Sequence, residues 1–232
     1  MGNPSENTKQ RRLTGYELYL RTDELLSLQK PPEDMLNHDE LQFQVVHQAF
    51  ELWFKQIAFE LQTVGTLMRS GDYLEAGRLL SRVVQIQKLF LPMMSILETM
   101  SPWDFLEIRA GFGSASGQES PGFRKLMRIS PSLWKDFTQA LEREDTTLEE
   151  VYVQRGRYVG LFGVAEGLLN YDEQFQIFRS QHYRLAQRQI GPGSIGTGGM
   201  PMPQLANTLN DQFYPELWEI RNVLTQRASG QR

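Results

Sequence analysis

Cysteine is absent from all 232 residues. Its absence excludes disulfides, iron–sulfur clusters, thiolate zinc sites and thiolate-ligated haem together, and is compatible with a reducing cytoplasm. Histidine is scarce as well: only His38, His47 and His182 occur, so a three-histidine metal site would consume all of them. Their spacing matches none of the usual zinc or iron motifs. An excess of one charge is also missing, with 24 basic residues against 28 acidic ones and a net charge of −4. Neither a basic footprint for nucleic acid nor an acidic tail is present. No apolar run is long enough to cross a bilayer, and the opening MGNPSENTKQRR carries no signal-peptide core. No membrane association and a cytoplasmic location are expected.

Sustained apolar/polar alternation, internal repeats and low-complexity tracts are absent too, so nothing argues for a sheet or a second domain. Hydrophobic residues make up 40% and aromatic residues 11% of the chain, enough for one substantial core. Residues 1–13 read as a disordered polar arm and 14–232 as a single domain. The fold expected is all-α, a helical bundle with a cofactor between helices.

The longest helical pattern runs from His38 to Ser70. Phe43, Val46, His47, Phe50, Phe54, Ile57, Leu61, Val64 and Met68 form one stripe along it. A short helix over 14–29, with Thr14 as N-cap, precedes it and stops at Pro31-Pro32. There Tyr16, Tyr19 and Leu20 either pack on the chain's own core or form an arm laid across a neighbouring subunit. A helix from Tyr73 to Met100 should kink at Pro92. Ser101-Pro102-Trp103-Asp104 is a helix start with N-cap, proline and acid in sequence. Ala110 to Gly122 reads as a loop by composition. Helices are predicted over 131–144 and 148–169, where Gly156, Gly160, Gly163 and Gly167 either weaken the second helix or mark close approach of a backbone to another helix or to a flat cofactor. The last helix carries Leu205, Leu209, Phe213, Leu217, Trp218 and Leu224.

The stretch Asn170 to Gly199 joins an amphipathic helix to a glycine-rich loop. Phe175, Phe178, His182, Leu185 and Ala186 recur at helical spacing, so His182 lies on an apolar stripe. Gly191-Pro192 ends that helix. Two readings of His182 stand: a core histidine satisfied by a backbone carbonyl, or an axial ligand reaching a large flat cofactor under the glycine-rich loop. His47 on a second apolar stripe favours one shared pocket, into which Phe43, one turn earlier, would also project. Arg109, at the edge of the 110–122 loop, is either an ordinary surface residue or a fork for a substrate carboxylate.

Several blocks together resemble the tryptophan 2,3-dioxygenase family. They are YELYL at Tyr16 to Leu20, FQVVHQAFELWFKQ at Phe43 to Gln56, SPWDFLEIRAGFGSASG at Ser101 to Gly117, the His182 helix with Arg188 and Ile190-Gly191, GTGG at Gly196 to Gly199, and FYPELWEIR at Phe213 to Arg221. The resemblance implies a b-type haem (heme b) whose iron is held by one histidine, in a homotetramer whose N-terminal arms help build neighbouring sites. By motif, His182 would be the iron ligand and His47 the distal histidine over the indole N–H. Phe43 and Phe105 would line the indole pocket. Arg109 would take the substrate carboxylate, Thr197 would touch the amino-acid head group, and Tyr16, Tyr19 and Leu20 would come from across the subunit interface. The implied reaction adds molecular oxygen across the indole C2–C3 bond of L-tryptophan, or a substituted tryptophan, to give an N-formylkynurenine-type product.

The family pattern also has departures. Gln118-Glu119 follows Gly117 where an aromatic and then a glutamine are usual. Phe178 and Gln181 stand where tryptophan and arginine are typical. One extra residue lies between Gly191 and Gly196, and the chain is shorter between Ser120 and Leu169. These departures keep open a second outcome, single-oxygen insertion giving a 2-oxindole or hydroxylated product with an outside reductant. A haem sensor or carrier is the third reading, disfavoured because haem carriage would not require Arg109 and Thr197.

Overall fold

The computed structural model describes residues 12–113, 117–196, 199, 201, 202 and 206–230. Most of the expected arm, together with Thr197 and Leu205, lies outside the described residues. Helices follow one another as α1 (Gly15–Leu20), α2 (Thr22–Leu26), α3 (Glu40–Ser70), α4 (Tyr73–Gln87), α5 (Phe90–Leu97), α6 (Pro102–Phe112), α7 (Pro121–Arg143), α8 (Leu148–Val153), α9 (Val159–Ile190) and α10 (Pro215–Ala228). Among the described residues the only β pairing is an isolated bridge between Ile195 and Pro201. The fold is all-α, as the missing alternation implied.

Two long helices form the frame, α3 with 31 residues and α9 with 32. Gly71 closes α3 at φ +87°, a left-handed conformation that favours glycine. Asp72 then caps α4 by accepting from the Glu75 N–H at 3.2 Å, so the chain reverses at once and α4 returns antiparallel to α3. Alongside α9, α4 runs parallel. Tyr73 packs on Gly160, Gly77 on the Gly163 backbone and Leu80 on Gly167. The Gln87 amide donates to the Tyr171 carbonyl at 3.1 Å. A Cβ on Gly160 would fall 2.8 Å from the Tyr73 Cβ, and one on Gly167 2.8 Å from the Leu80 Cβ. Close approach to another helix is what Gly160 and Gly167 show, whereas Gly156 lies in the turn between α8 and α9 with nothing within 4 Å of a Cβ.

Several boundaries differ from expectation. Instead of starting at Pro131, α7 starts ten residues earlier, because Ser120 caps the Phe123 N–H at 3.0 Å and Pro121 occupies the first helical position. Those start signals sit inside a segment that glycine and serine made look like loop. Pro131 is accommodated within the helix. The break after α4 comes at Lys88-Leu89 rather than at Pro92, which sits in the first turn of α5, where no backbone N–H is needed. The 148–169 region splits into a short α8 and the start of a continuous α9. Finally, α10 begins at Pro215 instead of near Leu205.

Asp172 governs that last boundary. Fully buried on α9, its carboxylate accepts from the Phe213 N–H at 3.1 Å, the Tyr214 N–H at 3.2 Å and the Trp218 indole N–H at 3.0 Å. Nearby, Arg179 donates to the Asp211 carbonyl at 2.8 Å and lies over the Phe175 ring at 4.9 Å. These contacts fix the 208–218 segment against the helix that carries His182. Asp172→Ala would leave three buried donors without an acceptor and is expected to cost about 3 to 5 kcal/mol. A lowered urea midpoint with an unchanged slope would show this.

Candidate functional site

Because α3 and α9 are antiparallel, the early turns of one and the late turns of the other lie at the same end of the bundle. His47 is near the start of α3 and His182 near the end of α9. Deeper in the bundle, aromatic rings fill the space between the two helices. Phe178 lies 5.8 Å from Phe50, 6.1 Å from Phe54 and 5.3 Å from Phe90, and Phe123 stacks on Phe175 at 5.6 Å. From Val46 to Met68 the α3 stripe is buried as expected, but at Phe43 and His47 the core opens.

Both histidines line that opening. Each is exposed by surface area, yet protein hems each ring closely enough that lost hydration is the first cause of its lowered pKa. A side chain that is open and surrounded at once belongs to a concave cleft. In His47, burial outweighs the raising effects of the Phe43 carbonyl and the Glu51 charge. In His182, burial is joined by the like charge that a protonated His47 would carry, so the two rings act on each other across the cleft.

Their hydrogen bonds differ. Nδ1 of His47 lies 2.7 Å from the Phe43 carbonyl, which can only accept, so that nitrogen carries the proton and Nε2 keeps its lone pair. For His182, no hydrogen-bond partner exists among the described residues. Its ring lies nearly parallel to Phe178 at 6.2 Å. Among the described residues no carbonyl satisfies the His182 ring, as the core-histidine reading would require. His38 is exposed in the turn before α3 and takes no part.

The third wall comes from α6. Phe105 lies 6.3 Å from Phe43, whose ring is 4.1 Å from His47. Arg109 donates through Nη2 to the Ile195 carbonyl at 2.7 Å, tying the end of α6 to the segment after α9. Asn37 donates to the Asp104 carbonyl at 3.1 Å, and Leu36 packs so closely on Gly111 that a Cβ there would lie 2.6 Å from the Leu36 Cδ1. On the other side, Gln181 donates to Glu98 at 2.6 Å, and Gln189 donates to the Leu97 and Met100 carbonyls, fixing the α5–α6 corner on α9. His47, His182, Phe43, Phe105 and Arg109 thus belong to one end of the bundle. Tyr16, Tyr19 and Leu20 do not join them in this chain: α1 buries none of its residues, and Tyr19 is 88% exposed.

The family model for tryptophan 2,3-dioxygenase matches residues 3–129. A tryptophan 2,3-dioxygenase of Herpetosiphon aurantiacus is 33% identical over 89% of this chain and 96% of its own length. Another, of Caulobacter vibrioides, is 34% identical over 90% of this chain and 98% of its own. This chain belongs to the tryptophan 2,3-dioxygenase family. The Nocardioides relative, at 32% identity over 90% of the chain, agrees. Membership makes the chain an oxygenase-class enzyme. The first alignment runs over 256 positions, more than the 232 residues here, so that relative carries residues which this chain lacks.

The donor set at this end of the bundle suits a group that brings most of its own ligands better than a bare metal ion. Among the described residues no three histidine, aspartate, glutamate or cysteine side chains gather to hold a metal. One hydrogen-bond-free imidazole over an aromatic floor suits instead a group that brings most of its own ligands. Sequence reasoning passed over Glu51, one helical turn beyond His47; the i, i+4 spacing was the available signal.

Lowered histidine pKa values make the ligand-free fold acid-sensitive. The unfolded chain binds protons below about pH 6.5, where the folded histidines resist them, so stability is lost as pH falls through that window. Above it both states are neutral there and pH has no effect through these groups. Urea midpoints at about pH 7 and about pH 5 should differ less when both His47 and His182 are replaced by glutamine.

Proposed function

We propose that this chain is a haem b-dependent oxygenase that adds dioxygen across the indole C2–C3 bond of L-tryptophan, or of a substituted tryptophan, to give an N-formylkynurenine-type product. The carrying observation is the pair of hemmed-in, neutral histidines on antiparallel helix ends, opening on the same cleft with Phe43, Phe105 and Arg109 beside them. Family membership supplies the reaction class.

In this reading His182 would hold the haem iron, because its ring is presented with no competing hydrogen-bond partner among the described residues. Haem bound there supplies the iron chemistry that activates molecular oxygen. His47 acts on substrate. Its Nδ1–H is committed to the Phe43 carbonyl and burial keeps the ring neutral, so Nε2 accepts the indole N–H and fixes the ring's orientation. Phe43 and Phe105 bound the indole plane and exclude water. Arg109 binds the carboxylate, since a guanidinium has more donors than its one bond among the described residues, to Ile195, uses. Thr197 touches the amino-acid head group. Tyr16, Tyr19 and Leu20, exposed here, complete a neighbouring site in a homotetramer, and exposure of α1 supports that arrangement. No described helix is long and apolar enough to cross a membrane, and a cytoplasmic setting is part of the proposal.

Product mass under labelled oxygen gas tests the reaction. Two labelled atoms in one ring-opened product are expected from ferrous, haem-loaded protein. One labelled atom, seen only with added reductant, would place the chain with monooxygenases. His182→Ala should abolish or grossly shift the haem absorption band; an unchanged spectrum refutes the ligand assignment. Arg109→Ala should raise the KM for tryptophan by the equivalent of about 2 to 5 kcal/mol while leaving haem content alone. Tryptamine, which lacks the carboxylate, should barely notice the change.

A further inference from the structure

Glu51 lies one turn after His47 on α3, within reach of the N-terminus of α7. Ser120 donates its hydroxyl to one oxygen of the Glu51 carboxylate, and the Gly122 N–H donates to the other at 3.0 Å. The same Ser120 hydroxyl accepts from the Phe123 N–H at 3.0 Å, so one carboxylate and one serine hold the opening of a 23-residue helix. An anion at a helix N-terminus also meets the positive end of the helix dipole. Nothing larger than glycine fits at 122, where a Cβ would lie 2.6 Å from a Glu51 carboxylate oxygen and 2.7 Å from the Phe54 Cβ.

We propose that Glu51 is a positioning residue for the oxygenase reaction, latching the start of α7 to the helix that carries His47. The proposal rests on the function given above. Two observations extend the latch beyond a helix cap. Phe123, the residue after Gly122, is set 6.3 Å from Phe54, 5.6 Å from Phe175 and 6.5 Å from Phe178, and Phe178 is the ring beside His182. One carboxylate therefore aligns the His47 side of the cleft with the aromatic floor under His182. The chain also returns from α6, which bears Phe105 and Arg109, through the turn Gly117–Glu119 that ends at Ser120. Glu51 fixes where that return stops, beside the proposed distal histidine.

The test uses haem-loaded full-length protein with Glu51→Gln, Glu51→Ala and Ser120→Ala. Haem content, kcat and KM for L-tryptophan, and amide exchange at Gly122 and Phe123 are read together. Glu51→Gln keeps one acceptor oxygen and should raise KM about tenfold with kcat nearly unchanged, the scale of one charge-assisted hydrogen bond. Glu51→Ala should raise KM further, Ser120→Ala should resemble the glutamine variant, and both amides should exchange faster while haem content holds. Unchanged KM in Glu51→Ala despite faster exchange would make the latch a structural cap only and overturn the proposal. Unchanged exchange at Gly122 would do so more directly, as would loss of haem with faster exchange throughout the core. A wild-type chain that leaves tryptophan unoxidised overturns the function and this role with it, whereas wild-type turnover with unaltered variants overturns the role alone.

Discussion

Everything at the cleft depends on the antiparallel pairing of α3 and α9 across a gap that they do not close themselves. At one end α4 draws them together, because Gly160 and Gly167 let it approach where a Cβ would collide with Tyr73 or Leu80. In the middle a cluster of phenylalanines wedges them apart. Past that wedge the two apolar stripes continue to Phe43 and His47 on one helix and to His182 on the other. The histidines sit at this point, desolvated by surrounding protein and still reachable from outside.

The rest of the molecule reads as support for that gap. Asp172 and Arg179 on α9 secure the 208–218 segment with buried hydrogen bonds. Gln181 and Gln189 clamp the α5–α6 corner, and α6 in turn presents Phe105 and Arg109. Glu51 anchors α7 from the side of His47. Each of these polar groups lies within the core or at its edge, where a satisfied hydrogen bond specifies geometry more sharply than an apolar contact does. The exposed apolar side chains of α1 stand apart from this logic.

Much was legible in the sequence because it is local. Periodicity placed the stripes of α3 and α9, and with them Phe43, His47 and His182, since a helix of 3.6 residues per turn leaves little choice about which face a residue occupies. Capping chemistry placed the starts of α1 and α6, and Gly71 and Gly191 the ends of α3 and α9. Errors came where a local signal had two meanings. Proline marks a helix start and also survives inside a helix or its first turn, so Pro131 and Pro92 misled. Glycine marks a loop and also a tight helix contact, so 148–169 read as one weakened helix, whereas Gly156 lies in a break and Gly160 and Gly167 pack against α4 within the longest helix.

Sequence by itself determined the all-α class, the exclusion of thiolate chemistry, the faces on which both histidines lie and the family blocks that carry the resemblance, because composition, spacing and capping act within a few residues of one another. Tertiary structure alone decided that α3 and α9 are antiparallel, that their histidines share one open end, that Arg109 reaches Ile195, and that Glu51 holds the start of α7. Those facts join residues from about 70 to more than 100 positions apart in the chain, and their register follows from how buried surfaces pack, which no short stretch of sequence encodes.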